Sequence, residues 1–214
     1  MTDDEQNDIE TEPAVAAAVF GERIDLARLY TADLARRGEE LGLIGPLELP
    51  RIWSRHIINS GVIAPLLRPG LVGDIGSGAG LPGVVLAIAR PDVDFVLIEP
   101  MERRVVWLEE QRELLGLTNV TVVRARAEEA RLPHRLDQVT ARAVSAFSKL
   151  IPMCAPLLRP GGEMVLMKGA GAANEITAAE KPIRKYKLTD VEVLVLGESI
   201  GVEVTRVIRA RVPA

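Results

Sequence analysis

From Leu71 to Gly169 the chain alternates short apolar runs with helical stretches, and that alternation constrains the fold more than any other feature. "LVGDIG" (71–76) reads as a strand and "LPGVVLAIARP" (81–91) as a helix stopped by Pro91. "DFVLIEP" (94–100) is a second strand, followed by the helix "ERRVVWLEEQRELLGL" (102–117) with a stop at Gly116. "NVTVVRA" and "LDQVTARAV" supply the third and fourth strands. "FSKLIPMCAPLLRPGG" reads as a helix and turn, and "EMVLMKG" as the fifth strand. Strands without polar alternation, separated by helices, belong to a parallel sheet covered on both faces. A polar helix (172–185) precedes two alternating strands around "LTDVEVLVL" and "GVEVTRVIRARV", joined by Gly197-Glu198-Ser199. That close spacing predicts a hairpin and an antiparallel edge strand on a mostly parallel seven-stranded sheet.

Upstream, Pro13 to about Gly42 reads as one helix, with Phe20, Ile24, Ala27 and Leu34 near helical spacing. Pro50 opens a second helical stretch, "PRIWSRHIINSGVIAPLL", ending at Arg68-Pro69-Gly70. The expected organisation is a disordered acidic tail (1–12), an N-terminal helical layer (13–70) and an α/β core (71–214), the last two forming one structural domain. The tail carries six acids (Asp3, Asp4, Glu5, Asp8, Glu10, Glu12) and no base. It hides a net charge of +2 on the remainder behind the overall −4, so bulk charge neither demands nor excludes RNA. One cysteine and two histidines exclude a cysteine/histidine metal cluster. No apolar run reaches the roughly 20 residues of a membrane span, and the acidic start lacks signal-peptide order, so a cytoplasmic, metal-free protein is expected.

The first strand runs into Asp74-Ile75-Gly76-Ser77-Gly78-Ala79-Gly80-Leu81-Pro82-Gly83. Glycines at such a turn bring backbone N–H groups close to a nucleotide. Gly78 to Gly83 formally matches the dinucleotide spacing G-x-G-x-x-G. In that register, however, Pro82 falls where helix N–H groups should meet a pyrophosphate. The register Asp74-x-Gly76-x-Gly78-x-Gly80 instead places an acid at the strand tip, suited to the cationic S-adenosylmethionine. Glu99, at the tip of the second strand, is placed to accept ribose hydroxyls from either nucleotide. The third strand leads to Arg126-Ala127-Glu128-Glu129, where an amide and a carboxylate are candidates to read an adenine edge.

Trp53-Ser54-Arg55-His56, "DIGSGAGLPG", "RAEE", "ARA" and "MKG" follow one another in an order that resembles the RsmG (GidB) family. The resemblance covers Pro50 to Gly169 closely. It implies a class I, Rossmann-like methyltransferase acting on N7 of a guanine in the 530 loop of 16S ribosomal RNA. S-adenosylmethionine is its implied donor and S-adenosylhomocysteine the product. It also implies a donor site at Gly76, Leu81, Ala127, Glu128 and Arg142, with Glu99 at the ribose; Asp74 and Gly78 join these from the loop register. The tryptophan and "N-L-T" element usual in the family's N-terminal region are absent from "LARLYTADLARRGEELGLIGP".

Guanine N7 carries a lone pair and no proton, so in-line transfer needs alignment and charge tolerance rather than a general base. No (N/D)-P-P-(Y/F) motif for amine methylation is present, and Cys154 lies in apolar "PMCAP". Arg142, ending the fourth strand, is the candidate donor to guanine O6. The alternative is a structural arginine paired with Asp74, Glu99 or Glu128. Lys168, ending the fifth strand, is the second candidate catalytic residue and a candidate substrate contact, with Arg55 and His56 as further substrate contacts. For His56, a hydrogen-bonded anchor between helix and sheet is the competing reading. The expected partner is 16S rRNA or the small ribosomal subunit, bound by a monomer with no membrane association. Arg51, Arg55, Arg103, Arg104, Arg124, Arg126, Lys149, Lys181, Arg184 and Lys185 are candidates for a phosphate-binding rim. A small-molecule methyltransferase with the N-terminal helices as lid, and a non-catalytic nucleotide-binding module, are the alternatives.

Overall fold

The structure, a computed structural model, describes residues 9–198 and 202–214. Most of the acidic tail, and Ser199 of the expected turn, lie outside the described residues. Glu10 and Glu12 are held against the body. Glu10 accepts the Ser54 N–H at 2.9 Å, and Glu12 pairs with Arg28 at 2.6 Å.

Seven strands form one sheet in the order β3-β2-β1-β4-β5-β7-β6. They are β1 (Leu71–Ile75), β2 (Asp94–Ile98), β3 (Val120–Val123), β4 (Leu136–Arg142), β5 (Leu158–Lys168), β6 (Thr189–Leu196) and β7 (Thr205–Arg211). The first five run parallel, as the unbroken apolar runs predict. The terminal hairpin is present, with β7 inserted antiparallel between β5 and the outermost β6. The reversed strand therefore stands one place in from the edge. The chain leaves β1 toward β2 and β3 and returns on the other side at β4. The crevice above β1 and β4 is thus a topological switch point, where open α/β sheets bind ligands.

Each face buries its own core. Phe95 and Leu97 point into one, Val96 and Ile98 into the other, as a period of two requires. The first core is covered by the N-terminal layer, α4 (Gly83–Ala89) and α5 (Glu102–Leu114). The second is covered by α6 (Phe147–Cys154), α7 (Ala172–Ala178) and α8 (Glu180–Tyr186). Trp53 is 5% exposed and Cys154 is fully buried, so both are core residues.

The N-terminal helices are more broken than their apolar spacing predicts. Gly21, at φ +51°, separates α1 (Ala16–Phe20) from α2 (Ile24–Arg37). The stretch after Pro46 runs as a 3-10 turn (Pro46–Arg51), a π-helical turn (Ile52–Ile58) and α3 (Asn59–Gly61). The π turn keeps Ile52, Trp53, His56, Ile57 and Ile58 all buried, a demand of tertiary packing that periodicity does not reveal. The buried Asp33 of α2 accepts from Gln111 of α5 at 2.7 Å and from Arg36 at 2.5 Å, docking the helical layer on the core.

Candidate active site

The glycine loop leaves β1 at the switch point with Gly76, Gly78 and Gly80 at φ +67°, +57° and +99°. A Cβ on Gly76 would stand 2.8 Å from Val144 Cγ2, so both backbone and space require glycine there. Gly83 is needed for packing alone: its Cβ would meet Leu97 at 2.4 Å and Asp74 Oδ2 at 2.5 Å.

Two buried carboxylates organise the loop from beneath. Asp74 is 0% exposed, and its Oδ2 accepts the Gly83 N–H at 3.1 Å while Oδ1 has no partner. Burial pushes its carboxyl up to about 7. Glu99 is 2% exposed and accepts the N–H groups of Gly78 and Met101, both at 2.9 Å. From above, the Ala79 carbonyl accepts the Tyr30 hydroxyl at 2.8 Å and the Trp107 indole N–H at 2.7 Å. The turn is thus fixed through its polar atoms before any ligand arrives.

Arg142 ends β4, and Ala143 beside it sits at φ +54°, a left-handed conformation unusual for alanine. None of the three acids weighed as structural partners for Arg142 pairs with it. Its Nη2 donates to His56 Nδ1 at 2.6 Å, and its Nη1 donates to Ser60 Oγ at 3.2 Å and to the His56 carbonyl at 3.4 Å. Because arginine only donates, Nδ1 must be the bare imidazole nitrogen, and Nε2–H then donates to Glu48 Oε2 at 2.7 Å. Burial and the neighbouring Arg142 push the His56 imidazole down to about 4, so it is neutral near pH 7. Glu48 also pairs with Arg55 at 3.2 Å and Arg51 at 3.4 Å. Lys168 Nζ donates to the Ser145 carbonyl at 2.6 Å and pairs with Glu175 at 2.8 Å. Its ammonium is therefore engaged in holding the segment after β4 against α7.

Two cavities meet here. The smaller, about 380 Å³, lies between the loop (Gly76, Ser77, Gly78, Ala79, Leu81) and a roof of Leu43, Ile44, Gly45 and Glu48. The larger, about 800 Å³, spreads over the ends of β4, β5 and β7, with Asn59, Lys168, Glu175 and Arg206 in its wall. Among the described residues, only Arg55, Arg142 and Ala143 line both.

Of the residues singled out in the sequence, Gly76, Gly78, Leu81, Arg55, His56, Arg104 and Arg142 share the smaller cavity. Asp74 and Glu99 lie beneath it. Lys168 lines only the larger cavity, and Ala127 and Glu128, in a 3-10 turn after β3, line neither. Sequence reasoning missed Glu48, Ser60, Glu175, Tyr30 and Trp107. Only Tyr30 left a trace, as an aromatic on the Ala27/Leu34 face of its helix. Several rim cations already face acids, among them Arg124 with Glu102 and Arg184 with Glu180.

The sheet order, with a glycine loop at its switch point and a reversed seventh strand, defines a Rossmann-like methyltransferase fold. Solved structures agree. Over 73% of this chain and 74% of the other, it is similar to M. jannaschii TYW2 in complex with AdoMet (TM-score 0.58, 21% identity). Over 80% and 91%, it is similar to precorrin-6y C5,15-methyltransferase from Geobacter metallireducens (TM-score 0.53, 18% identity). The particular family follows from sequence: the profile of GidB, rRNA small subunit methyltransferase G, matches residues 23–203, and the chain belongs to that family. The ribosomal RNA small subunit methyltransferase G of Clavibacter michiganensis subsp. michiganensis is 71% identical, over 95% of this chain and 97% of that protein. The protein of the same name from Leifsonia xyli subsp. xyli is 69% identical, over 95% and 98%. The family resemblance seen in the motifs is thereby borne out.

Proposed function

We propose that the protein transfers a methyl group from S-adenosylmethionine to N7 of a guanine in the 530 loop of 16S rRNA, by in-line attack without a general base. The observation that carries this reading is the junction of the two cavities. Arg55, Arg142 and Ala143 form it, and none of them can accept a proton; the carboxylate that touches Arg55 there, Glu48, is engaged by His56 and Arg51 as well. His56, the imidazole beside it, has both ring nitrogens engaged. Such a junction suits an acceptor atom that attacks through an existing lone pair.

The residues of the smaller cavity fit a cationic nucleoside better than a dinucleotide. A pyrophosphate needs free backbone N–H groups, yet those of Gly78 and Gly83 are already bound to Glu99 and Asp74. Glu99 under the loop repels phosphate and favours a positive ligand, and Asp74, with its carboxyl at about 7, adds charge only as it loses its proton. Gly76, Gly78 and Leu81 would hold the donor, and Glu99 retains lone pairs for ribose hydroxyls. Ala127 and Glu128, which line neither cavity, take the adenine role only from the family resemblance. When bound, the donor supplies an electrophilic methyl group on a sulfonium.

On the acceptor side, the described hydrogen bonds of Arg142 leave its Nε–H and one Nη2–H for a ligand. A donor to O6 with N7 left free is the geometry the reaction needs. Lys168 fixes the wall formed by residues 143–146, and Arg55 adds positive charge at the entrance. The test is incubation of the protein with methyl-labelled donor and small ribosomal subunits that lack the modification, followed by nuclease digestion and mass spectrometry. Labelled 7-methylguanosine from the 530 loop is the expected product. Label confined to another nucleotide, or absent from the RNA, refutes the assignment.

A further inference from the structure

We propose that Glu48 is a positioning residue for the acceptor-side arginine: through His56 it fixes the direction in which Arg142 presents its guanidinium at the junction of the two cavities. The proposal rests on the reading of Arg142 as the group that meets the acceptor base.

The geometry is a chain of three side chains from three separate elements. Glu48 rises from the 3-10 turn that roofs the smaller cavity, His56 lies on the π turn, and Arg142 ends β4. The Glu48–His56 and His56–Arg142 contacts are 2.7 and 2.6 Å. An imidazole between a carboxylate and a guanidinium has one consistent arrangement, with the proton on Nε2 and the lone pair on Nδ1. If the proton moved to Nδ1, two donors would face each other and Arg142 would have to turn away. The carboxylate therefore selects the tautomer, and the tautomer selects the orientation of the guanidinium. Ser60 and the His56 carbonyl hold the other terminal nitrogen, so the fork is fixed in its plane.

Glu48 also has a charge to contribute. Arg55 and Arg142 line the same junction and repel one another, which burial aggravates. The carboxylate pairs with Arg55 directly and attracts Arg142 through space. Its place in the roof makes the two effects conditional on that turn being seated over the glycine loop. A seated roof and an aligned Arg142 are then one state.

The variants Glu48→Ala and Glu48→Gln test this, since glutamine keeps an acceptor oxygen for Nε2–H but not the charge. Imidazole 15N spectra read the tautomer directly: the chain has only His56 and His134, and His134→Asn removes the second signal. The wild type should show a protonated Nε2 and a bare Nδ1 at His56. Glu48→Gln should retain that pattern, and Glu48→Ala should replace it with tautomer averaging. With methyl donor and small subunits, Glu48→Ala should lower kcat about 10- to 100-fold, the range seen when the partner that orients a metal-bound histidine is lost, with donor Kd within about threefold. Glu48→Gln should recover the part of kcat that the tautomer carries, and not the part that the charge carries. Glu48→Ala with wild-type tautomer and kcat overturns the proposal. So does a loss of kcat that tracks donor affinity and melting temperature and is equal in both variants. If the wild type labels no guanine, the assigned reaction fails, while the tautomer spectra still decide whether Glu48 orders the chain.

Discussion

Asp74→Asn isolates the energetic consequence of burying a carboxyl under the glycine loop. Asp74 is 0% exposed, and burial raises its carboxyl from an ordinary 3.8 to about 7. In the folded state it keeps a proton that the unfolded chain has released. Its contribution to stability is therefore complete below the unfolded value and is lost as pH rises through the folded one. The slope is about 1.4 kcal/mol per pH unit while only the native state holds the proton, so about 2 kcal/mol is lost between pH 5 and pH 7. For a chain of this length that is about 4–8 °C in Tm. His56 runs in the opposite sense. Its imidazole is held at about 4 against an ordinary 6.5, so stability rises with pH between those values. The two trends overlap and flatten the raw pH profile. Subtracting Asp74→Asn from the wild type at each pH removes the His56 contribution. The asparagine NH2 would fall where Oδ1 now has no partner, a penalty of about 1–3 kcal/mol that shifts the level and leaves the slope alone. Urea unfolding of both proteins at pH 5, 6, 7 and 8 gives the difference. Its fall with pH is the expected result, and a pH-independent difference refutes the argument.

Gly76→Ala forces a Cβ to 2.8 Å from Val144 at a positive φ; it should cost about 1–2 kcal/mol and abolish donor binding measured by calorimetry. Arg142→Lys keeps the charge but loses the fork that serves His56 and Ser60 together, and kcat should fall about 100-fold in the labelled-subunit assay. Lys168→Met removes the donor to Ser145 and the partner of Glu175. Unfolding free energy should drop by about 1–3 kcal/mol and methyl transfer should decline, with donor Kd unchanged.

The sheet was legible because its strands are continuous apolar runs with glycine and proline between them, a pattern fixed by local chemistry. β7 was legible as half of a hairpin, but its insertion beside β5 depends on sheet closure and leaves no local mark. The same division runs through the site. Asp74, Gly76 and Glu99 stand out because position relative to a strand end carries their meaning. Arg142 was visible as a strand-end cation, yet its partners came from His56 and Ser60, 86 and 82 residues away. Glu48 gave no signal, because an acid in a proline-flanked turn looks like any solvated surface charge. In sequence the π turn has the spacing of an ordinary helix, because burial, rather than spacing, decides it.

The Ala79 carbonyl receives one donor from Tyr30, 49 residues before it, and another from Trp107, 28 residues after it. The shape of the glycine turn is thus enforced by groups outside the strand–turn–helix unit that encodes it. Leu71–Ala89 grafted into a foreign sheet would bring its glycines and leave both clamps behind. The loop is not a portable cassette; it is a joint held by three parts of one chain, and the helical layer is one of the three.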